Sequence, residues 1–266
     1  MGIILLNKVV DVKNIQPYFM LSSHSSYQEK RSNIPVISHF YTFQADNSEG
    51  HTFAVPDACV DIIFLCDKDN PNARICGCTL SAKLVEVQKN KHYFGIRFAP
   101  GYTPKFSQAQ TKELIDSEFN LTEVDPSAAI VIDKIAQAHS FDEQINIFIT
   151  HYQEHLLTSE LSGLCKQINQ LILSNNGDIR IADIESLTGF STRYIYKTFT
   201  DQFGISPKFY CLTLRFQNAL LKLLYNDSVT LTELAIDLGY ADQSHFLREF
   251  KKFAAVSPKK FLMAIR

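Results

Sequence analysis

Long apolar runs are missing from this 266-residue sequence. None reaches the ~18 residues that a membrane span needs. The opening stretch Met1-Gly2-Ile3-Ile4-Leu5-Leu6 turns polar at Asn7 and Lys8 and has no basic segment before it. It is shorter than the ~7–15-residue core of a signal peptide, so a cytoplasmic protein without a membrane partner is expected. Cysteine is sparse: Cys59, Cys66, Cys76, Cys78, Cys165 and Cys211 are too few for a disulfide scaffold, and no C-x-x-C pair occurs. The close pair Cys76-Gly77-Cys78 reads as a strand whose small residues alternate faces, with a thiol or metal sensor as the alternative. Catalytic signatures are lacking as well. There is no Gly-x-Ser-x-Gly, no phosphate-cradling glycine loop and no cupin-type His-x-His. One pattern, His151-Tyr152-Gln153-Glu154-His155, matches the H-x-x-E-H of inverted zinc metalloproteases, and helical spacing would put both histidines on one face. It falls on an amphipathic stretch whose Phe148, Tyr152 and Leu156 read as buried, so two surface histidines are the preferred reading. Asp57 and Asp61, beside Pro56 in a strand context, read as structural rather than as paired acids. No cofactor is expected, and the chain is not read as an enzyme. The alternative is a small-molecule or zinc-dependent enzyme with a helical interaction module.

A strongly basic balance is also absent. Residues 1–159 carry 13 Lys and Arg against 18 Asp and Glu, while residues 160–266 carry 13 against 10. An acidic N-terminal part beside a mildly basic C-terminal part suggests that the latter meets a polyanion. The hydrophobic pattern changes along with the charge. Residues 36–100 hold short β-branched and aromatic runs such as Phe40-Tyr41-Thr42-Phe43, Val60-Asp61-Ile62-Ile63-Phe64-Leu65 and Tyr93-Phe94-Gly95-Ile96-Arg97-Phe98. Turn-forming clusters at 46–50 and 67–72 separate them, which predicts a mostly antiparallel sheet or barrel. From about residue 105 the spacing becomes helical. Ile145, Phe148, Ile149, Tyr152 and Leu156 form one stripe, for packing on the sheet or, alternatively, for a dimer-forming helix.

What is present in quantity is a repeat. Phe199-x4-Gly204-x-Ser206-Pro207 recurs as Phe250-x4-Ala255-x-Ser257-Pro258. Upstream of each lie a short helical segment, a glycine turn and a second helical segment. Gly189 and Gly239 sit just past helix ends, where a left-handed backbone costs other residues more. Ser191 and Asp242 are N-caps for the following helix, and Thr230-Leu231-Thr232-Glu233 fits a capping box. Ser206-Pro207 and Ser257-Pro258 place a cap before a first-turn proline. Ile195 with Phe199, and Phe246 with Phe250, give each second helix a short buried stripe. Residues 206–225 read as one long helix that fixes the distance between the units. Each unit is therefore a helix-turn-helix, whose second helix fits the major groove.

Residues 160–266 resemble the DNA-binding domain of the AraC/XylS family of bacterial transcription regulators. The matching segments are Gly189-Phe190-Ser191-Thr192-Arg193-Tyr194-Ile195, Gly204-Ile205-Ser206-Pro207 with Tyr210, and Arg215 with Ala219. The most specific is Leu234-Ala235 through Gly239-Tyr240-Ala241-Asp242-Gln243-Ser244-His245-Phe246-Leu247-Arg248-Glu249-Phe250-Lys251-Lys252. The resemblance implies seven helices, with two recognition helices entering successive major-groove segments on one DNA face. Two departures stand out. Glu185 stands where the first unit usually has a small residue such as alanine, which leaves the tightness of its helix pair open. Ala255 replaces the glycine before the last Ser-Pro, so that turn is either free of a positive φ or strained. The N-terminal part resembles the effector-binding-type β domain of a subgroup, through Val55-Pro56-Asp57-Ala58-Cys59-Val60-Asp61-Ile62-Ile63-Phe64 and Gly95-Ile96-Arg97-Phe98-Ala99-Pro100-Gly101. Ala58 stands where that subgroup often has glycine.

The expected architecture is α+β. A mostly antiparallel β-sheet or barrel domain with flanking helices spans 1–157, for sensing or dimerisation. An all-α domain spans 158–266, with helix-turn-helix units at about 181–202 and 230–253. The buried stripes set which side chains face outward. In the first recognition helix these are Arg193, Tyr196 and Lys197, with Ser191 and Thr192 at its start. In the second they are Gln243, Ser244, Leu247 and Arg248. Arg193 suits guanine, Tyr196 a thymine methyl and Gln243 adenine. Lys251 and Lys252 suit phosphates. His245 either contacts DNA or packs around Phe246. The partners expected are double-stranded DNA, a small-molecule effector, a second copy of the chain and, for an activator, RNA polymerase.

Overall fold

The structure, a computed structural model, describes residues 14–17, 26–45, 51–103, 111–157, 161–226 and 230–265. The opening Met1–Lys8 run (residues 1–8), the 46–50 turn and the side chains of His155 and Leu156 lie outside the described residues. The strands are β1 (Gln28–Arg31), β2 (Ile37–Gln44), β3 (His51–Ala54), β4 (Asp61–Leu65), β5 (Asn72–Cys76), β6 (Lys83–Glu86), β7 (His92–Phe98) and β8 (Glu118–Asn120). Six of them form an antiparallel sheet in the order β1-β2-β7-β4-β5-β8, and β3 pairs with β6 in a separate ribbon. The three runs singled out in the sequence are β2, β4 and β7, the centre of the sheet. The short β8 has no alternating pattern of its own and is set by its partner, Arg74–Cys76 (residues 74–76).

Alternation gives the sheet two unlike faces. Register brings Phe40, Ile62, Phe64, Ile75, Phe94 and Ile96 to one side. A short helix α1 (Leu121–Val124) leads into α2 (Ala128–Gln137) and α3 (Phe141–Leu157). Val131, Ile135, Ile145, Phe148 and Tyr152 from α2 and α3 join that side in one core. The α3 stripe therefore packs on the sheet, and its Tyr152 hydroxyl donates to Asp125 at 2.8 Å. The opposite face carries Tyr41, Asp61, Ile63, Cys76, Gly95 and Arg97. Gly95 is required there because a Cβ would lie 2.1 Å from the Tyr41 ring, which lies across the strand.

Seven helices follow: α4 (Gly163–Ser174), α5 (Ile181–Thr188), α6 (Thr192–Phe203), α7 (Pro207–Tyr225), α8 (Leu231–Asp237), α9 (Gln243–Ala254) and α10 (Pro258–Ile265). They form two cores that share α7. Tyr210 packs with Phe199 and Phe203 in the first, and Phe216 with Phe250 and Phe253 in the second. Both cores also take residues from the N-terminal part: Ala58 and Cys78 in the first, Ile15 and Val55 in the second.

Two alanines resolve as left-handed backbone. Ala58 has φ 61° and Ala255 has φ 62°. Glycine at either position avoids the Cβ–carbonyl clash, and at Ala255 the strained alternative holds. Ala255 is exposed and is the C-cap of α9. Ala255→Gly should therefore raise stability by about 0.5–1 kcal/mol, a gain of a few degrees in thermal midpoint that a melting curve would read.

Candidate nucleic-acid interface

Each recognition helix starts at the cap its sequence specifies. The Ser191 hydroxyl accepts from Tyr194 N at 3.4 Å and the Asp242 carboxylate from His245 N at 2.6 Å. The capping box of α8 is complete, with Thr230 and Glu233 bonded reciprocally. The Ser206 hydroxyl caps α7 through Phe209 N. Ile195, Phe199 and Phe203 anchor α6, and Phe246, Phe250 and Phe253 anchor α9. This fixes which way the rest of each helix points.

Ser191, Arg193, Lys197, Gln243, Ser244, Arg248, Lys251 and Lys252 are exposed. Tyr196, Thr192, His245 and Leu247 are half-buried. Leu247 leans on the second core rather than standing clear. His245 sets its ring edge-on to Tyr240 at 5.3 Å. Thr192 and Gln243 open equivalent first turns, and each is tied to the preceding helix. The Thr192 hydroxyl donates to Glu185. The Thr232 hydroxyl donates to Gln243 Oε1 at 2.9 Å, so the Gln243 amide hydrogens still face out. Glu185 therefore clasps the first helix pair, which settles its tightness. Sequence reasoning passed over Tyr194, which is 49% exposed and stacked on Phe190. Two aromatics four residues apart, just after the glycine turn and on either side of the Ser191 cap, were the available signal.

A polar network fixes the second unit to α7. Arg215 Nη1 donates to Gly239 O at 3.1 Å, its guanidinium lies 4.5 Å from the Tyr240 ring centre, and Glu249 approaches Nη2 at 4.0 Å. The Tyr240 hydroxyl donates to Glu249. Burial, with Glu249 adding to it, pushes the Tyr240 phenol well up, so the ring stays neutral. Gly239 also meets the first unit, since a Cβ there would come within 2.3 Å of the Asp178 carboxyl. The two units are thus joined by packing on α7 and by this turn.

The other sequence candidates fall elsewhere. His151 lies edge-on to Tyr152 at 4.5 Å, 3.5 Å from the Ser127 hydroxyl. Among the described residues no three His, Cys, Asp or Glu side chains are grouped to hold a metal. Cys76 ends β5 and Cys78 enters the first helical core. Burial pushes both thiols well up, so they are protonated at neutral pH. Asp57 and Asp61 are bridged by Arg97, which donates to Asp61 at 2.9 and 2.7 Å and pairs with Asp57 at 3.1 Å.

Residues 186–264 match a family described as a helix-turn-helix domain, and residues 34–120 match a domain of unknown function, DUF6597. The chain is 28% identical over 123 residues to an uncharacterised HTH-type transcriptional regulator of Staphylococcus aureus, covering 44% of this chain and 16% of that one. It is 29% identical over 119 residues to the Msm operon regulatory protein of Streptococcus mutans, covering 44% and 42%. The chain thus spans under half the length of these relatives. Among solved structures, apo ToxT of Vibrio cholerae is 15% identical, with 92% of this chain and all of that one covered at a TM-score of 0.44. The C-terminal domain of AraT from Geobacillus stearothermophilus is 24% identical, covering 40% and 88% at a TM-score of 0.37.

Proposed function

We propose that residues 186–264, which match a helix-turn-helix domain family, are an AraC-type DNA-binding domain, and that the chain is a sequence-specific DNA-binding transcription regulator. The observation that carries this reading is the pair of capped, aromatic-anchored helices α6 and α9 on one shared helix, each turning polar and basic side chains to solvent. In this reading α6 and α9 enter successive major-groove segments, with Arg193, Tyr196, Lys197, Gln243, Ser244 and Arg248 toward base edges. Residues 1–157 sense an effector or pair with a second copy, and 158–266 bind DNA. If the outcome is activation, RNA polymerase is a further partner. None of the helices among the described residues is long and apolar enough to cross a membrane.

Selection of bound duplexes from a random pool tests the reading. Two short conserved blocks one helical turn apart are expected, and a pool that stays random would overturn it. Lys251 and Lys252, exposed in the last turns of α9, are assigned to phosphates. Removing both as Ala should weaken binding on every sequence alike. It should also lower the slope of log affinity against log salt by about 2, because each lost contact releases one counterion fewer.

A further inference from the structure

Between the polar face of the six-stranded sheet and the β3–β6 ribbon lies a cleft with about 50 Å³ of water-accessible space, partly open to solvent. Its floor is the Asp57–Arg97–Asp61 trio, and Tyr27 and Tyr41 stand beside it with ring centres 6.3 Å apart. The trio carries one more carboxylate than it has cations. The Arg97 side chain is 4% exposed and its Nε, Nη1 and Nη2 already face the two aspartates. An incoming anion would have to compete with both aspartates for a guanidinium that is already over-neutralised. At the rim Glu118 is held by Arg74 and Lys83 at 3.3 and 3.7 Å. Arg74 does not line the cleft, and among the residues that do, Asp57, Asp61 and Glu118 stand against Arg97 and Lys83, one carboxylate in excess. The aromatic walls are neutral: burial pushes the Tyr27 hydroxyl up to about 12 and raises that of Tyr41 well above its ordinary value. A neutral ring face attracts cations. A second, independent feature points to a ligand. Thr79 lines the cleft, is 8% exposed, and its hydroxyl has no hydrogen-bond partner among the described residues. Buried hydroxyls are normally satisfied.

We propose that this cleft binds a small organic cation, an alkylammonium or guanidinium group seated between the aspartates and the tyrosine rings, with the Thr79 hydroxyl as an added acceptor, and that its occupancy is passed to the DNA-binding helices through Gln217. The route is continuous. Gln16 Nε2 donates to Asp57 Oδ2 and to Val55 O, both at 2.7 Å, and Gln16 Oε1 accepts from Val55 N at 2.9 Å. The next residues on these two segments hold Gln217. Ile15 N donates to its Oε1 at 2.8 Å, and its Nε2 donates to Pro56 O at 2.7 Å. Gln217 is fully buried on α7, directly after Phe216 of the second core. A cation that draws on Asp57 competes with Gln16 for the same oxygen and so loads the brace that positions α7.

Only the transmission step rests on the regulator reading. The binding step is tested without DNA, by calorimetric titration of the full chain with agmatine, choline, hexanoate and glucose. Saturable binding of agmatine or choline, with a raised thermal midpoint, is expected. Asp61→Asn should weaken it at least about tenfold. Thr79→Val, which removes an unpaired hydroxyl at no cost to the fold, should weaken it about two- to tenfold. Preference for hexanoate or glucose, absence of binding by both cations, or full affinity in Thr79→Val and Asp61→Asn together would overturn the site. In the DNA arm, the bound cation should change affinity for the selected duplex in the native chain and leave it unchanged in Gln217→Leu. A cation that binds but alters DNA affinity in neither chain, or equally in both, would overturn the transmission. Failure to select any duplex would sink the regulator reading and leave the titration standing.

Discussion

Arg193→Ala and Arg248→Ala should each cost about 1–3 kcal/mol of sequence-specific DNA binding, roughly 5- to 150-fold, with little change on unrelated duplexes. The expectation follows from how each helix is anchored. Arg193 lies two residues before the buried Ile195, and Arg248 two residues before the buried Phe250, so both arginines stand clear of the cores, in the first turn of α6 and the second turn of α9. Arg248 is further oriented by its Nε bond to Ser244 O at 3.4 Å. A guanidinium there offers two parallel donors, which match the O6 and N7 of guanine and no other base edge as well. The two residues lie in different units and share no partner, so the double variant should lose about the sum of the single losses. Competition binding on selected and scrambled duplexes measures this. Equal loss on both would reassign the arginines to phosphate contacts, and the bases would then be read by Tyr196, Gln243 and Ser244.

The C-terminal half was largely legible because its information is local. Caps, glycine turns and aromatic spacing each act within a few residues, and Ser191, Thr230, Asp242 and Ser206 cap where their chemistry directs. Central strands were legible for the same reason, through alternation. The cleft was not. Asp57 and Asp61 were read as structural and Arg97 only as part of a strand-like segment, and the meeting of Asp61 with Arg97 depends on β4 pairing with β7, across 36 residues of chain. An arginine inside the apolar run Tyr93–Phe98 (residues 93–98) was the available signal, since a buried guanidinium demands buried carboxylates. Gln217 was equally hidden. On α7 it reads as one polar residue among apolar ones, and its partners, Ile15 and Pro56, are 202 and 161 residues away. The consequence of Glu185 stayed open in the sequence because the Thr192 hydroxyl that donates to it lies on the next helix.

Arg97→Met should destabilise the chain by about 3–5 kcal/mol, because it strands two carboxylates in a site built around one cation. The Asp57 and Asp61 side chains are 4% and 14% exposed, so water cannot replace the guanidinium fully. The pH dependence separates charge from packing. Burial already raises the Asp57 carboxyl above its ordinary value, and Arg97 is the main influence opposing that rise, while Asp61 reinforces it. Without Arg97 the folded chain holds a proton on Asp57 to a higher pH than the unfolded chain does. In that window the folded state binds more protons, so stability falls as pH rises through it. The deficit relative to the native chain should therefore be largest near about pH 7.5 and narrow toward about pH 5, as read from denaturant midpoints. Adding Asp57→Asn and Asp61→Asn to Arg97→Met should recover part of the loss, since no buried charge then remains. A deficit that is the same at both pH values and is not relieved by the added substitutions would show that Arg97 matters through its contact with the Tyr41 ring, 6.0 Å from the guanidinium carbon, rather than through its charge.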